Sequence, residues 1–130
     1  MVLVFVGGAV GALLRYLITV ATPPPYGPMV ATLIINVVGA FALAVLMEVL
    51  VRRVLDPGRH LELRLLLRTG LLGGFTTYSA LGLYSAELLR SGLVFVGVGY
   101  ALATLVLGGV LSHAGGRLAG AWSGPTRTAT

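Results

Sequence analysis

The sequence predicts an all-α membrane protein with four transmembrane helices, the third of them broken, and three features of the chain lead there. Of its 130 residues 57% are hydrophobic and 10% charged, far from the balance of a soluble domain. The apolar residues fall in four runs, each close to the ~20 helical residues that cross a bilayer. The charges collect at the ends of those runs, where they act as topology signals. One four-span domain is expected over residues 1–122, followed by a polar, mobile tail at 123–130.

The first span covers about residues 2–20 and carries Gly7, Gly8, Gly11 and Ala12 on a small-residue face, interrupted only by Arg15. Its apolar start lacks a basic leader, so it is expected to be a retained span and not a cleaved signal. Pro23, Pro24 and Pro25 stop the helix. The second span, about 29–51, is uncharged from Met29 to Met47, and Glu48, Arg52 and Arg53 mark its exit. A turn at Asp56-Pro57-Gly58 leads through a charged stretch, Arg59 to Arg68, into a third span at about 64–89. The fourth follows the Ser91-Gly92 turn, at about 92–119.

The third span is the unusual one. Within an uncharged run from Thr69 to Ala86 it places Gly73-Gly74, then Thr76, Thr77 and Ser79. A helix opens in hydrocarbon only where its freed carbonyls face protein, water or an ion. The glycine pair makes such an opening possible, but it equally suits close packing between helices. Other intramembrane polar groups have two readings as well. Asn36, with Thr32 one turn before it, serves either as an interhelical hydrogen bond or as a donor to a ligand. Tyr100, Thr104 and Ser112 form a hydroxyl stripe on the fourth span, with a gap at Gly108, and either line a path or bond their own helix.

The absences narrow the function. Without cysteine there is no disulfide framework and no thiolate metal site. The net charge of +5 comes from arginine alone, and because the arginines flank spans they indicate a lipid bilayer and no nucleic acid. Glu48, Asp56, Glu62 and Glu87 all lie near span ends or in loops, and neither His60 nor His113 looks like a relay. No base, nucleophile and orienting group come together, which argues against an enzyme, and no mid-span carboxylate serves proton coupling. Neutral donors with a cation nearby favour an anion.

Three motifs then carry a family resemblance. Gly7-Gly8-Ala9-Val10-Gly11-Ala12-Leu13-Leu14-Arg15-Tyr16, Asn36-Val37-Val38-Gly39-Ala40-Phe41 and Gly73-Gly74-Phe75-Thr76-Thr77-Tyr78-Ser79 resemble, in order, signatures of the Fluc (CrcB) fluoride channels. With four spans and a matching length, the resemblance covers essentially the whole chain. It favours the opening over the packing reading of Gly73-Gly74. It implies an antiparallel dimer in the plasma (inner) membrane whose broken third helices cross around a structural sodium ion, held by the Gly73 and Thr76 carbonyls. It also implies two fluoride pathways for passive export. Their lining would include Asn36, Tyr78, Leu81, Tyr100, Thr104 and Ser112, with Arg15 at a vestibule. Two positions depart from the family pattern: Leu81 stands where a second aromatic ring is expected, and Gly108 where a hydroxyl is. A three-residue shift would put Tyr84 in place of Leu81 and bring Glu87 to a glutamate common in the family. The alternatives are a small proton-coupled four-span exporter and a non-conducting partner subunit.

Charge asymmetry adds an expectation of its own. With four spans, Arg52, Arg53, Arg59, Arg64, Arg68, Arg117 and Arg127 share one side, against Arg90 and Arg15 on the other. Such a bias predicts one orientation, with both termini cytoplasmic. An antiparallel homodimer needs both orientations, so the dimer forms either with a second copy or with a related chain of opposite bias.

Overall fold

A computed structural model describes residues 1–25, 27–52 and 56–122; Arg53, Arg127 and the tail at 123–130 lie outside the described residues. Within them the fold is an all-helical membrane bundle. Helix α1 spans Val2–Ala21 and α2 Gly27–Arg52. The third crossing is composite: α3 (Pro57–Leu63), a π-helical segment (Arg64–Leu72) and α4 (Gly73–Phe75) run on without a break, and α5 (Tyr78–Arg90) follows an interruption. Helix α6 spans Val94–Trp122.

Each terminus has a local cause. Helix α1 ends where Thr22 turns extended (φ −87°, ψ 121°), before the prolines. Asp56 caps α3 by accepting from the Gly58 N–H at 3.2 Å, with Pro57 at the first turn, where its missing N–H costs nothing. After α5 the chain turns through Gly92 at φ +79°, a conformation that favours glycine.

Helices α1, α2 and α6 are long and apolar enough to cross a membrane. The third crossing consists of shorter pieces because the chain interrupts it. Few large side chains are buried: Ile35 is fully enclosed, while Phe5, Leu17, Phe95, Leu105 and Trp122 point outward. The inside is held by close backbone approach.

That approach is tightest between α1 and the first half of the third crossing. A Cβ on Gly7 would meet the Leu66 carbonyl, the Leu71 nitrogen and the Gly70 Cα. On Gly11 it would meet the Leu71 carbonyl and the Phe75 nitrogen, and on Gly74 the Gly8 carbonyl. Helices α2 and α6 form the other long pairing, and α5 packs mainly on α6.

The structure corrects the position of the opening. Gly73 and Gly74 are both helical, in α4, and the chain leaves the helix at Thr76-Thr77. The two glycines divide the two readings between them. Gly74 lies against Gly8 and serves packing, whereas Gly73 is exposed and a Cβ there would meet only the Arg68 carbonyl, at 3.9 Å. The π-helical turn ahead of them was not foreseen from the apolar pattern.

Candidate functional site

The break is two residues of extended chain, Thr76 (φ −76°, ψ 154°) and Thr77 (φ −145°, ψ 114°), between two helical segments. Extended residues inside a bundle must find new partners for their backbone groups. The Thr76 N–H stays with the Leu72 carbonyl at 3.0 Å, which also accepts from Thr76 Oγ1 at 2.9 Å. Thr77 is served by another helix. Its N–H donates to Asn36 Oδ1 at 2.8 Å, and its carbonyl accepts from Asn36 Nδ2 at 2.9 Å. One side-chain amide thus satisfies both backbone groups of one residue, and this pairing fixes which way the amide faces. Asn36 therefore makes an interhelical hydrogen bond, with its second Nδ2 proton left over.

Thr77 completes the arrangement as the N-cap of α5: its Oγ1 accepts from the Ala80 N–H at 3.2 Å and lies 3.2 Å from Ser79 Oγ. These diversions matter for the carbonyls. In a continuous helix the Thr77 N–H would bond the Gly73 carbonyl, and the Ala80 N–H the Thr76 carbonyl. Both donors are engaged elsewhere, so the Gly73 and Thr76 carbonyls are among the main-chain oxygens released at the break. Gly39 on α2 permits the close approach, since a Cβ there would collide with the Thr76 methyl and touch the Phe75 ring.

Beside the break lies a cleft of about 730 Å3 between α2, the third crossing and α6. Asn36, Tyr78, Leu81, Thr104 and Ser112 border it, together with Gly73 and Thr76. Tyr78 is 85% exposed, whereas Leu81 is 6% exposed and packed into the wall. Tyr84 belongs to a separate hollow with Met29 and Glu87, so the residue beside this cleft is Leu81. Gly108 borders it too, where its missing side chain widens the space.

Two expected residues sit apart. Tyr100 is buried and donates its hydroxyl to the Met29 carbonyl at 2.9 Å, tying α6 to the start of α2 without lining the cleft. Arg15 is half-buried on α1, away from the cleft, and pairs with no carboxylate among the described residues. The Thr104 hydroxyl donates to the Tyr100 carbonyl at 2.8 Å, the bonding of a polar residue to its own helix. Thr77 was not singled out from the sequence as a pivot. The available signal was a threonine three residues ahead of Ala80, the spacing of an N-cap over the first turn.

No group of three or more His, Cys, Asp or Glu side chains positioned to hold a metal occurs among the described residues. Any cation at the break would rest on main-chain oxygens, the donor class a hard monovalent or divalent ion accepts.

Comparisons with known proteins agree with this architecture. The "Fluoride-specific ion channel FluC 2" of Leifsonia xyli subsp. xyli is 45% identical over 115 residues, covering 88% of this chain and 79% of its own. The "Fluoride-specific ion channel FluC 1" of Cutibacterium acnes is 44% identical over 115 residues, covering 85% and 78%. The "Fluoride-specific ion channel FluC" of Prosthecochloris aestuarii is 41% identical over 122 residues, covering 93% of each chain. A sequence model of the family described as "CrcB-like protein, Camphor Resistance (CrcB)" matches residues 2–116. By that match and these relatives, this four-span bundle with its opened third crossing belongs to the CrcB-like family.

Proposed function

We propose that this chain forms a fluoride channel of the plasma membrane, lowering cytoplasmic fluoride by passive export. The observation that carries the reading is the opened third crossing beside a largely apolar cleft that holds a few neutral donors and one cation, Arg68, in a chain whose relatives are named for fluoride. Fluoride is small and strongly hydrated, so a pathway must replace its water with donors that release it again. Asn36 can offer its second Nδ2 proton to the ion without giving up its bonds to Thr77, Ser112 can offer its hydroxyl, and Tyr78 a ring edge. Carboxylates along the cleft would repel the ion, and none borders it among the described residues. That also weighs against a proton-coupled exporter, which needs a group to carry the proton.

The working unit in this reading is an antiparallel dimer with a pathway on each side. The released Gly73 and Thr76 carbonyls fit a sodium ion shared between subunits, each supplying oxygens without any acidic side chain. The ion would brace the crossing, and its charge would favour anions nearby. Efflux of fluoride from vesicles containing the purified protein, with chloride as control anion, tests the function directly. Fluoride flux that follows an imposed proton gradient would instead indicate an exporter.

The partner is either a second copy or a related chain of opposite charge bias. In a four-span order Arg52, Arg59, Arg64, Arg68 and Arg117 fall on one side, a bias that supports the mixed pair, as do Leu81 and Gly108, whose missing ring and hydroxyl a partner would supply. Reporter fusions at the C-terminus read the orientation. Equal populations of both orientations, with robust flux from the chain alone, would restore the homodimer.

A further inference from the structure

A second hollow, of about 520 Å3, lies beyond the cleft between the ends of α2 and α6. Ser112 borders both spaces, so the two adjoin at that hydroxyl. Its lining is charged: Glu48 and Arg52 stand one turn apart on α2, and His113 and Arg117 one turn apart on α6. Glu48 and Arg52 form an ion pair. That pair is seated on α6 at Gly120, where a Cβ would approach the Arg52 guanidinium at 3.1 Å and Glu48 Oε1 at 3.4 Å. Arg117 is exposed and has no ion-pair partner among the described residues.

Resting on the fluoride reading, we infer that this hollow is the mouth of the pathway on the arginine-rich side, with Arg117 drawing the anion in and Glu48 setting how much positive potential it meets. With Glu48 offsetting the charge of Arg52, Arg117 carries the excess that an approaching anion encounters. A cation at the rim of a low-dielectric groove raises the local anion concentration, and salt removes the effect once the screening length falls to a few ångströms. Glu48 opposes that attraction, and its pair helps hold the Arg52 guanidinium over Gly120. His113 borders the same space.

The test is initial fluoride efflux from vesicles at pH 7.5, in about 10 mM and about 300 mM of a salt whose anion does not permeate. The expected result at low salt is that Arg117→Gln slows efflux about two- to threefold, Arg117→Lys keeps the wild-type rate, and Glu48→Gln speeds efflux by a similar factor. At high salt the variants should converge. Arg117 is exposed, so its substitution leaves the fold intact, and the opposite sign at Glu48 separates electrostatics from damage. Wild-type rates and wild-type salt dependence in both Arg117→Gln and Glu48→Gln, with wild-type flux robust, would overturn the inference and leave the channel reading standing. No fluoride flux from wild-type protein in either salt, alone or with a related subunit, would overturn both.

Discussion

The two halves of the third crossing have opposite surroundings. From Arg64 to Phe75 the chain lies against α1 backbone to backbone, through Gly7, Gly8, Gly11, Gly70 and Gly74, with no room for a methyl group at most of these contacts. From Thr76 onward no such backbone clamp appears: the cleft that the first half borders at Arg68, Thr69, Leu72 and Gly73 continues past Thr76, Thr77, Tyr78 and Leu81, and the polar groups there are held by single side chains on other helices or at the cap. The difference teaches how a helix opens inside a bundle. One half is clamped by contacts too close to slide, so the strain of leaving the helix falls at the first position where a neighbouring side chain can take over the backbone hydrogen bonds. Asn36 is that neighbour.

The sharpest way to break the clamped side is Gly74→Val. Its side chain would displace the Gly8 backbone, which cannot swing aside as a flexible side chain does. The expected cost is about 3 kcal/mol or more, read as loss of a monodisperse, thermally cooperative protein in detergent. Gly73→Val sharpens the comparison one residue away. Gly73 is open, so the subunit should fold with a change under about 1 kcal/mol, while fluoride flux and sodium-dependent dimer stability fall. Normal flux and normal assembly in Gly73→Val would remove the proposed sodium site.

On the open side, Asn36→Ala strips both partners from Thr77 and should cost about 2–3 kcal/mol of thermal stability. Asn36→Asp keeps an acceptor for the Thr77 N–H but sets a second oxygen against the Thr77 carbonyl and brings negative charge to the cleft. Flux should be abolished while the dimer still assembles. Wild-type flux in an assembled Asn36→Asp protein would confine Asn36 to its hydrogen-bonding role.

Smaller effects separate the two threonines of the break. Thr77→Ala removes the cap of α5 and should cost about 1 kcal/mol. Thr76→Ala loses one hydroxyl bond to a carbonyl that keeps its backbone partner, so about 0.5 kcal/mol is expected. Thermal shifts of equal size in the two variants would show that the cap contributes little to holding the break.

The sequence by itself determined the class and the presence of an interruption. Apolar run lengths, the proline stop after Thr22 and the arginines at span ends are local features, and they carry through to the helices observed. The small residues Gly7, Gly8 and Gly11 were visible as one face, but not the backbone they would touch. Only the tertiary structure decided where the interruption falls, because glycine allows an opening without requiring one. Gly73 and Gly74 stay helical, whereas Thr77 leaves the helix where it meets the amide of Asn36, 41 positions earlier. It likewise assigned the Tyr100 hydroxyl to the Met29 carbonyl, 71 positions away, and gathered Glu48, Arg52, His113 and Arg117 around one hollow. Those pairings depend on how α2 and α6 sit against each other, and no local pattern along either helix encodes that.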